Sequence, residues 1–106
     1  QWPAKGKTTR GFSSSSGVHK GIDIEGVLGE SVRAANSGEV VYAGNGLVGY
    51  GELLIVKHND HYLSAYGHNR RLLVKEGDIV KVGQRIAEMG DTGTDKVKLH
   101  FEIRRS

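Results

Sequence analysis

The chain is 106 residues long and 37% apolar, enough for one domain whose core needs no cross-links. It contains no cysteine, so disulfide frameworks and thiolate zinc sites are excluded, and any metal would need histidine and carboxylate ligands. The net charge of +3 is carried by scattered cations without interleaved aromatic residues, which argues against nucleic-acid binding.

The sequence shows neither an apolar run of transmembrane length nor a signal-peptide pattern. Because it also starts at Gln1 rather than methionine, we expect residues 1–106 to be one domain cut from a longer protein. We expect this domain to be a monomer and to make no membrane contact of its own.

Short predicted strands follow one another along the chain, separated by turn residues rather than by crossover helices. Sixteen glycines, one proline and the lack of a long 3.6-residue period argue against a helical protein. The strands are expected at residues 31–35, 39–43, 53–58, 62–66, 79–82, 85–89 and 97–103. This spacing predicts a mostly antiparallel β-sheet, arranged as a sandwich or an open barrel.

Turn residues predict how these strands connect. Asn36-Ser-Gly38 can turn the first strand back on the second, and Asn59-Asp-His61 can turn the third back on the fourth. Residues 5–17, which include FSSSSG, are expected to form a flexible surface loop. Only residues 69–74 leave room for a helical turn.

A histidine and a carboxylate stand four residues apart in His19-Lys-Gly-Ile-Asp23. In a strand, even spacing returns His19 and Asp23 to the same face, where the two side chains could begin a zinc site. By itself the spacing is also typical of an ordinary surface pair.

His100 lies in a strand pattern between two apolar residues. Alternation places it on the same face as Lys98 and Glu102, which is not the pattern of a core histidine. It either lines a groove or is a solvated residue between two charges. His68 lies where the fourth predicted strand ends and a loop begins, and functional residues are common at such positions. A loop histidine without a functional role would have the same sequence context.

Two other features have simpler explanations. His58 and His61 bracket a turn, so turn chemistry accounts for them and we do not expect them to be ligands. The glycines of AGNGLVGYG could suggest a phosphate-binding loop, but no helix follows and no lysine is placed as a P-loop requires. We interpret this segment as a mobile loop between strands.

Five segments, taken in order, resemble the LytM or lysostaphin-type zinc metallopeptidase domain, also called the duplicated hybrid motif: HKGID, YAGNGLVGYG, LLIVKHNDHYLSAYGHN, EGDIVKVGQRIAEMGDTGT and LHFEIR. The similarity runs from about Trp2 to Arg105. It implies an antiparallel β-sheet with a groove across one sheet. In active members an HxxxD motif and the second histidine of an HxH motif bind zinc, and two further histidines handle protons during cleavage of peptidoglycan cross-bridges.

The resemblance places the predicted zinc ligands at His19, Asp23 and His100. It places one proton-handling histidine at His68. The first histidine of HxH falls on Lys98, and the loop that leads to it from Gly90 is one residue shorter than usual. All three ligand types for Zn²⁺ are therefore kept, whereas one of the two proton-handling histidines is replaced.

Lysine is a poor replacement for a histidine base. Its ordinary pKa of about 10.4 makes it a cation at pH 7, whereas a neutral imidazole accepts a proton. Next to Zn²⁺ the Lys98 ammonium would be repelled, which would push it outward or lower its pKa. Because losing one proton-handling group costs about 10²–10⁴-fold in rate, any remaining hydrolysis should be slow.

Within the family, the segment YAGNGLVGYGELLIVKHNDHYLSAYGHN and the KLHFEIR ending look most like the LytM domains of NlpD-type murein hydrolase activators. In those proteins the groove is catalytically degenerate, and the domain activates a separate periplasmic N-acetylmuramoyl-L-alanine amidase during cell division. The resemblance also implies a LysM peptidoglycan-binding module and a lipoprotein anchor to the outer membrane, both outside this chain. His19 is a departure, because many such activators have lost that histidine.

We therefore expect a regulatory domain that is more an activator than an enzyme and that relieves the autoinhibition of its amidase partner. A weak zinc endopeptidase acting on peptidoglycan and a metal-free peptidoglycan-binding module are the alternatives. Asn45, Tyr50 and Tyr66 are, together with Lys98, candidates for contacts with the partner on position alone.

Overall fold

Nine strands form one antiparallel sheet in the computed structural model, which describes residues 2–10 and 21–105, with residues 7–10 described by their backbone alone. The strands are β1 (Lys7–Arg10), β2 (Ile22–Glu25), β3 (Ser31–Arg33), β4 (Gly38–Gly44), β5 (Glu52–Lys57), β6 (Tyr62–Leu72), β7 (Ile79–Val80), β8 (Arg85–Met89) and β9 (Lys98–Arg105). The predicted all-β, antiparallel class is confirmed. In the described ranges, no helix has the length and apolar character needed to cross a membrane.

Pairing between distant segments brings the C-terminal strand into the middle of the sheet. The strand order is β1-β2-β9-β6-β5-β4-β7, and β8 pairs with both β3 and β6. The long strand β6 changes partner along its length: it pairs with β9 as far as Gly67 and with β8 from Asn69 onward. His68 lies at this change of partner, and its φ of +66° is the one positive value among the described non-glycine residues.

Alternation along β9 separates a core face from a polar face. Leu99 and Phe101 are buried in the main apolar cluster, so the residues between and beside them face the other side of the sheet. Burial of this cluster supplies most of the driving force for folding. Its other large members come from seven further strands: Ile22, Ile24, Val32, Val40, Leu54, Val56, Tyr66, Val80, Ile86 and Met89.

One of the two predicted hairpins is confirmed and the other is wrong. β5 and β6 pair across the turn at Asn59, whose side chain accepts hydrogen bonds from the backbone N–H groups of His61 and Tyr62 at 2.8 and 3.0 Å. β3 does not pair with β4; it pairs with β8, while β4 pairs with β5 and β7. A turn signal marks where a strand ends, but the partner of β3 is set by the packing of Val32 in the core.

Three smaller expectations can also be compared with the structure. Residues 69–74, where the sequence left room for a helical turn, do not form one, because β6 continues to Leu72 and pairs with β8 there. The loop expected at residues 5–17 contains β1, and its part beyond residue 10 lies outside the described residues. Residues 45–51 do form a loop between β4 and β5, as predicted.

Candidate functional site

Three neighbouring strands bring four predicted site residues to one face of the sheet. β2 carries Asp23, β9 carries Lys98 and His100, and β6 carries His68. Asp23 is directly opposite His100 in the pairing of β2 with β9, and Gly67 is opposite His100 in the pairing of β6 with β9. His100 therefore lies at the centre of the site, with the carboxylate on one side and the second histidine on the other.

The Asp23 carboxylate is bound on both oxygens by side chains of β9. Its Oδ1 lies 2.6 Å from His100 Nδ1, and its Oδ2 lies 3.3 Å from Lys98 Nζ. Burial raises the pKa of Asp23, but the hydrogen bond with His100 and the charges of His100 and Lys98 outweigh it and hold this pKa below its usual value. The Lys98 ammonium thus points inward onto the carboxylate.

Glu102 binds the other edge of His100. Its Oε2 lies 2.7 Å from His100 Nε2 and accepts a hydrogen bond from the Tyr50 hydroxyl at 3.1 Å. Its Oε1 accepts a hydrogen bond from Arg104 Nε at 2.6 Å. Burial raises the pKa of Glu102, but the hydrogen bonds from His100 and Arg104 more than offset this and lower it to about 2. Glu102 is therefore a fixed negative charge beneath the imidazole.

The His100 ring is held between two carboxylates. Burial lowers the pKa of His100, but the hydrogen bonds to Glu102 and Asp23 outweigh burial and raise this pKa above its ordinary value. These contacts favour the imidazolium, in which both ring nitrogens donate and neither keeps a lone pair for a metal.

His68 has the opposite character. Its Nδ1 lies 2.7 Å from the backbone oxygen of Thr92, and because a carbonyl only accepts, Nδ1 carries the proton and Nε2 the lone pair. Burial lowers the pKa of His68 below its ordinary value, and the positive charges of His100 and Lys98 act in the same direction. A neutral histidine therefore faces His100, with their ring centroids 6.2 Å apart.

The loop that follows β8 supports His68. Thr92 Oγ1 accepts a hydrogen bond from the backbone N–H of Glu52 at 3.0 Å and donates one to the carbonyl of Asn69 at 2.6 Å. Gly51 packs against the same residue, because a Cβ built there would lie 2.2 Å from the Thr92 backbone oxygen, and its φ is +62°. Position 51 therefore requires glycine for two separate reasons.

Among the described residues, no three His, Cys, Asp or Glu side chains come together in a way that could hold a metal ion. The predicted ligand His19 lies outside the described residues. The other two predicted ligands lie within the described residues. Asp23 is ion-paired with the Lys98 ammonium, and His100 is hydrogen-bonded at both ring nitrogens. The donor atoms in this arrangement do not fit zinc.

Besides Lys98, three residues were predicted to contact the partner, and they lie in different environments. Asn45 is exposed in the loop before β5, and Tyr50 is half-buried beside Glu102. Tyr66 is 0% exposed, and its hydroxyl accepts a hydrogen bond from the backbone N–H of Ala35 at 2.9 Å. The assignment of Tyr66 to a partner surface is therefore wrong, because a core side chain offers no surface to a partner.

Arg104 and Thr92 were not predicted as site residues, and Glu102 was placed on the face of His100 without a role in the site. Arg104 carries a signal that could have identified it, because it continues the even spacing of Lys98, His100 and Glu102 along one strand. Thr92 carries none, since it lies 24 residues from His68 and is brought there by the fold.

The family model for Peptidase family M23 matches residues 17–106. Three relatives are similar over 104 residues, or 98% of this chain. A lipoprotein NlpD/LppB homologue of Pseudomonas aeruginosa is 68% identical, the outer membrane antigenic lipoprotein B of Haemophilus influenzae 59%, and the murein hydrolase activator NlpD of Escherichia coli 57%. The chain covers 35%, 26% and 27% of their respective lengths, so it spans about a third of these relatives or less.

A solved structure of a zinc peptidase has the same fold as this chain. The zinc-containing peptidase of Vibrio cholerae superposes with a TM-score of 0.89 at 30% sequence identity, over 98% of this chain and 36% of that one. The resemblance to LytM or lysostaphin-type domains, predicted from the five ordered segments, is thereby confirmed. Sequence and fold agree that this chain belongs to Peptidase family M23.

Proposed function

We propose that this chain is the regulatory domain of an NlpD-type murein hydrolase activator, which does not cleave peptidoglycan itself. It binds an N-acetylmuramoyl-L-alanine amidase and shifts that enzyme toward its open state through contacts made only in that state. The high identity to proteins named as such activators and lipoproteins supports the proposal. The observation that carries it is the inward ion pair of Lys98 with Asp23, at the position of the family's catalytic histidine.

The chemistry of the groove explains why hydrolysis is lost. In the family, zinc supplies an activated water and polarises the scissile carbonyl. In this chain His68 Nε2 can still accept a proton, but Lys98 is a cation bound to Asp23 and cannot act as the second base. The site therefore keeps one proton acceptor while lacking the second histidine with which it would act.

The surface beside the site offers contacts for a protein partner. An open depression is lined by Tyr50, Ile103, Arg104 and Arg105, and the Arg104 guanidinium lies 5.4 Å from the centre of the Tyr50 ring. Aromatic and arginine side chains of this kind are the residues that most often anchor protein interfaces. We assign the amidase contact to this depression and to Asn45, which is exposed in the loop that also carries Tyr50.

The location follows from the same relatives. We infer that the domain works in the periplasm, on peptidoglycan, and is tethered to the outer membrane by a lipoprotein anchor. The anchor and a LysM module would belong to the remainder of a longer protein, since the relatives are three to four times the length that this chain matches.

Release of dye from labelled peptidoglycan tests the proposal. The domain alone should release no dye, and its addition to a purified N-acetylmuramoyl-L-alanine amidase should raise release well above that of the amidase alone. Asn45→Ala should weaken this activation, whereas Asn36→Ala, a matched exposed asparagine in a different turn, should not. Binding to peptidoglycan without any effect on the amidase would favour the binding-module alternative instead.

A weak zinc endopeptidase is the second candidate, because neutral His68 faces His100 across the groove and the three ligand types predicted from the sequence are kept. It requires His19, Asp23 and His100 to gather round the ion with Lys98 displaced. Digestion of muropeptides by the domain alone, abolished by His68→Ala and accompanied by zinc in elemental analysis, would establish this function and contradict the activator proposal.

A further inference from the structure

Lys98 and its neighbour Lys96 make ion pairs of different kinds. Lys96 Nζ lies 2.9 Å from Glu25, and both side chains are well exposed, at 58% and 38%. Lys98 Nζ lies 3.3 Å from Asp23, with exposures of only 14% and 4%. The Lys96 pair is an ordinary surface contact, whereas the Lys98 pair places a cation where water is largely excluded.

The backbone holds Lys98 in this position. Its N–H donates to the Gly90 carbonyl at 3.0 Å, and its Cα is paired with that of Glu25 in β2. This pair is two residues along the strands from the pair of Asp23 and His100. Lys98 and His100 therefore rise from the same face of β9, and both reach the same carboxylate. A buried carboxylate needs such a partner, since an unpaired buried charge is strongly unfavourable.

We propose that the Lys98 ammonium takes the place of a divalent metal at Asp23, so that the groove is assembled without zinc and Lys98 itself opposes metal binding. A zinc ion bound to Oδ2 would lie about 2.0–2.2 Å from that oxygen. It would then be within about 6 Å of the ammonium, which is 3.3 Å from the same atom. Two like charges this close oppose each other, so metal and ammonium compete for one carboxylate. This inference does not depend on the activator role.

Zinc affinity and thermal stability test the inference in three variants. Lys98→Met removes the ammonium and keeps most of the side-chain volume, Lys98→Arg keeps a cation, and Lys96→Met removes a neighbouring lysine outside the site. Each protein is melted in chelator and again with excess Zn²⁺, and its zinc affinity is measured by competition with a chromophoric chelator.

The expected result is specific to Lys98→Met. In chelator its melting temperature should fall by about 4–8 °C or more, because the buried Asp23 carboxylate has lost one of two cationic partners in the described part of the chain and keeps His100. Zinc should recover part of this loss and should bind about 10- to 1,000-fold more tightly than to wild type, the range by which one neighbouring charge changes the proton affinity of a carboxyl. Lys98→Arg and Lys96→Met should resemble wild type, and Asp23→Asn added to Lys98→Met should remove the zinc effect.

Wild type binding zinc as tightly as Lys98→Met would overturn the inference, and so would an unchanged melting temperature of Lys98→Met in chelator. If Lys98→Met unfolds in chelator and refolds with zinc, the inference is supported. If it does not fold under either condition, titration of the wild type decides. If the wild type binds one zinc saturably and Asp23→Asn abolishes this binding, the inference is overturned. If neither wild type nor Lys98→Arg binds zinc in this way, the inference is supported. None of these readouts involves an amidase, so failure here leaves the proposed function standing.

Discussion

The site has two sides that are held in different ways: the charged wall on β2 and β9, and the base wall on β6. On the side of β2 and β9, Asp23, Lys98, His100 and Glu102 bind one another, and each side chain is charged or held between charges. On the side of β6, His68 is fixed by a backbone carbonyl and stays neutral. The charged wall is a network of side chains that pair with one another. The base wall presents a neutral histidine held only by the backbone.

This difference shows which part of the site a change of one side chain can alter. The base wall depends on backbone geometry, since His68 lies where β6 exchanges β9 for β8 and has a left-handed φ. A single substitution does not easily alter such a wall. The charged wall depends on ion pairs between side chains, so a change at Lys98 alone would remove one of its charges.

Removal of Glu102 should have the largest effect on the charged wall. Glu102 is 1% exposed and binds His100, Arg104 and Tyr50, so Glu102→Ala leaves these groups without a shared anion. We expect a loss of about 3 kcal/mol in the free energy of unfolding, measured by urea denaturation. The exposed strand residue Glu39 is the control, and Glu39→Ala should change the free energy by less than about 0.5 kcal/mol. Equal losses for the two variants would mean that the network adds nothing to stability.

Gly51→Ala should break the base wall and leave the charged wall intact. The new Cβ would lie 2.2 Å from the Thr92 backbone oxygen, at a φ of +62°. Gly49→Ala is the matched control, because its φ is +92° and nothing lies within 4 Å of the Cβ position. We expect about 1 kcal/mol of destabilisation for Gly49→Ala and at least about 2 kcal/mol for Gly51→Ala.

The readout that separates the walls is the NMR spectrum of the histidine rings. In Gly51→Ala the His68 resonances should shift and those of His100 should stay near their wild-type positions, because the strain enters through Thr92. Shifts of equal size at both rings would show that the two walls are one cooperative unit.

The sequence predicts β9 and its polar face well, because alternation with a period of two is a local property. Lys98, His100 and Glu102 are placed on one face by counting alone, and the structure has them there. The contact that Lys98 makes could not be predicted in this way. Beside Zn²⁺ its ammonium was expected either to be pushed outward or to have a lowered pKa, and the structure tests neither expectation. In the structure the ammonium points inward onto the buried Asp23 carboxylate.

Features set by distant segments escaped prediction. The partner of β3 is β8, more than fifty positions along the chain, although the nearest turn signal suggested β4. The positive φ of His68 and its support by Thr92 depend on β6 switching from one partner strand to another. No local pattern of residues indicates such a change of partner strand. The conformation and support of His68 can therefore be determined only from the three-dimensional structure.

Thr92→Val should weaken the base wall to a smaller degree. The change keeps the side-chain shape and removes the hydroxyl that binds the backbones of Glu52 and Asn69. We expect about 1–2 kcal/mol of destabilisation, since two backbone groups lose a partner. Thr94→Val, two residues along the same loop, removes a hydroxyl whose contact with Asp95 is 3.4 Å and should have little effect. If the two variants lose the same stability, the hydroxyl of Thr92 has no special role.

The smallest effect is expected at Glu88, which lies on β8 behind the base wall and binds Arg70 at 2.9 Å and Arg85 at 3.1 Å. The hydrogen bond from Arg70 is the main cause that lowers the pKa of Glu88 below 4.5. A carboxyl with a lower pKa in the folded state stabilises the fold above its unfolded pKa, and this stabilisation is lost as the pH falls through the folded value. Glu88→Gln should therefore lower the urea midpoint at pH 7, and the difference from wild type should shrink below about pH 4.5. Glu76→Gln, in an exposed turn, is the control. A difference that stays constant down to pH 3 would show that Glu88 supports β6 by its shape and hydrogen bonds rather than by its charge.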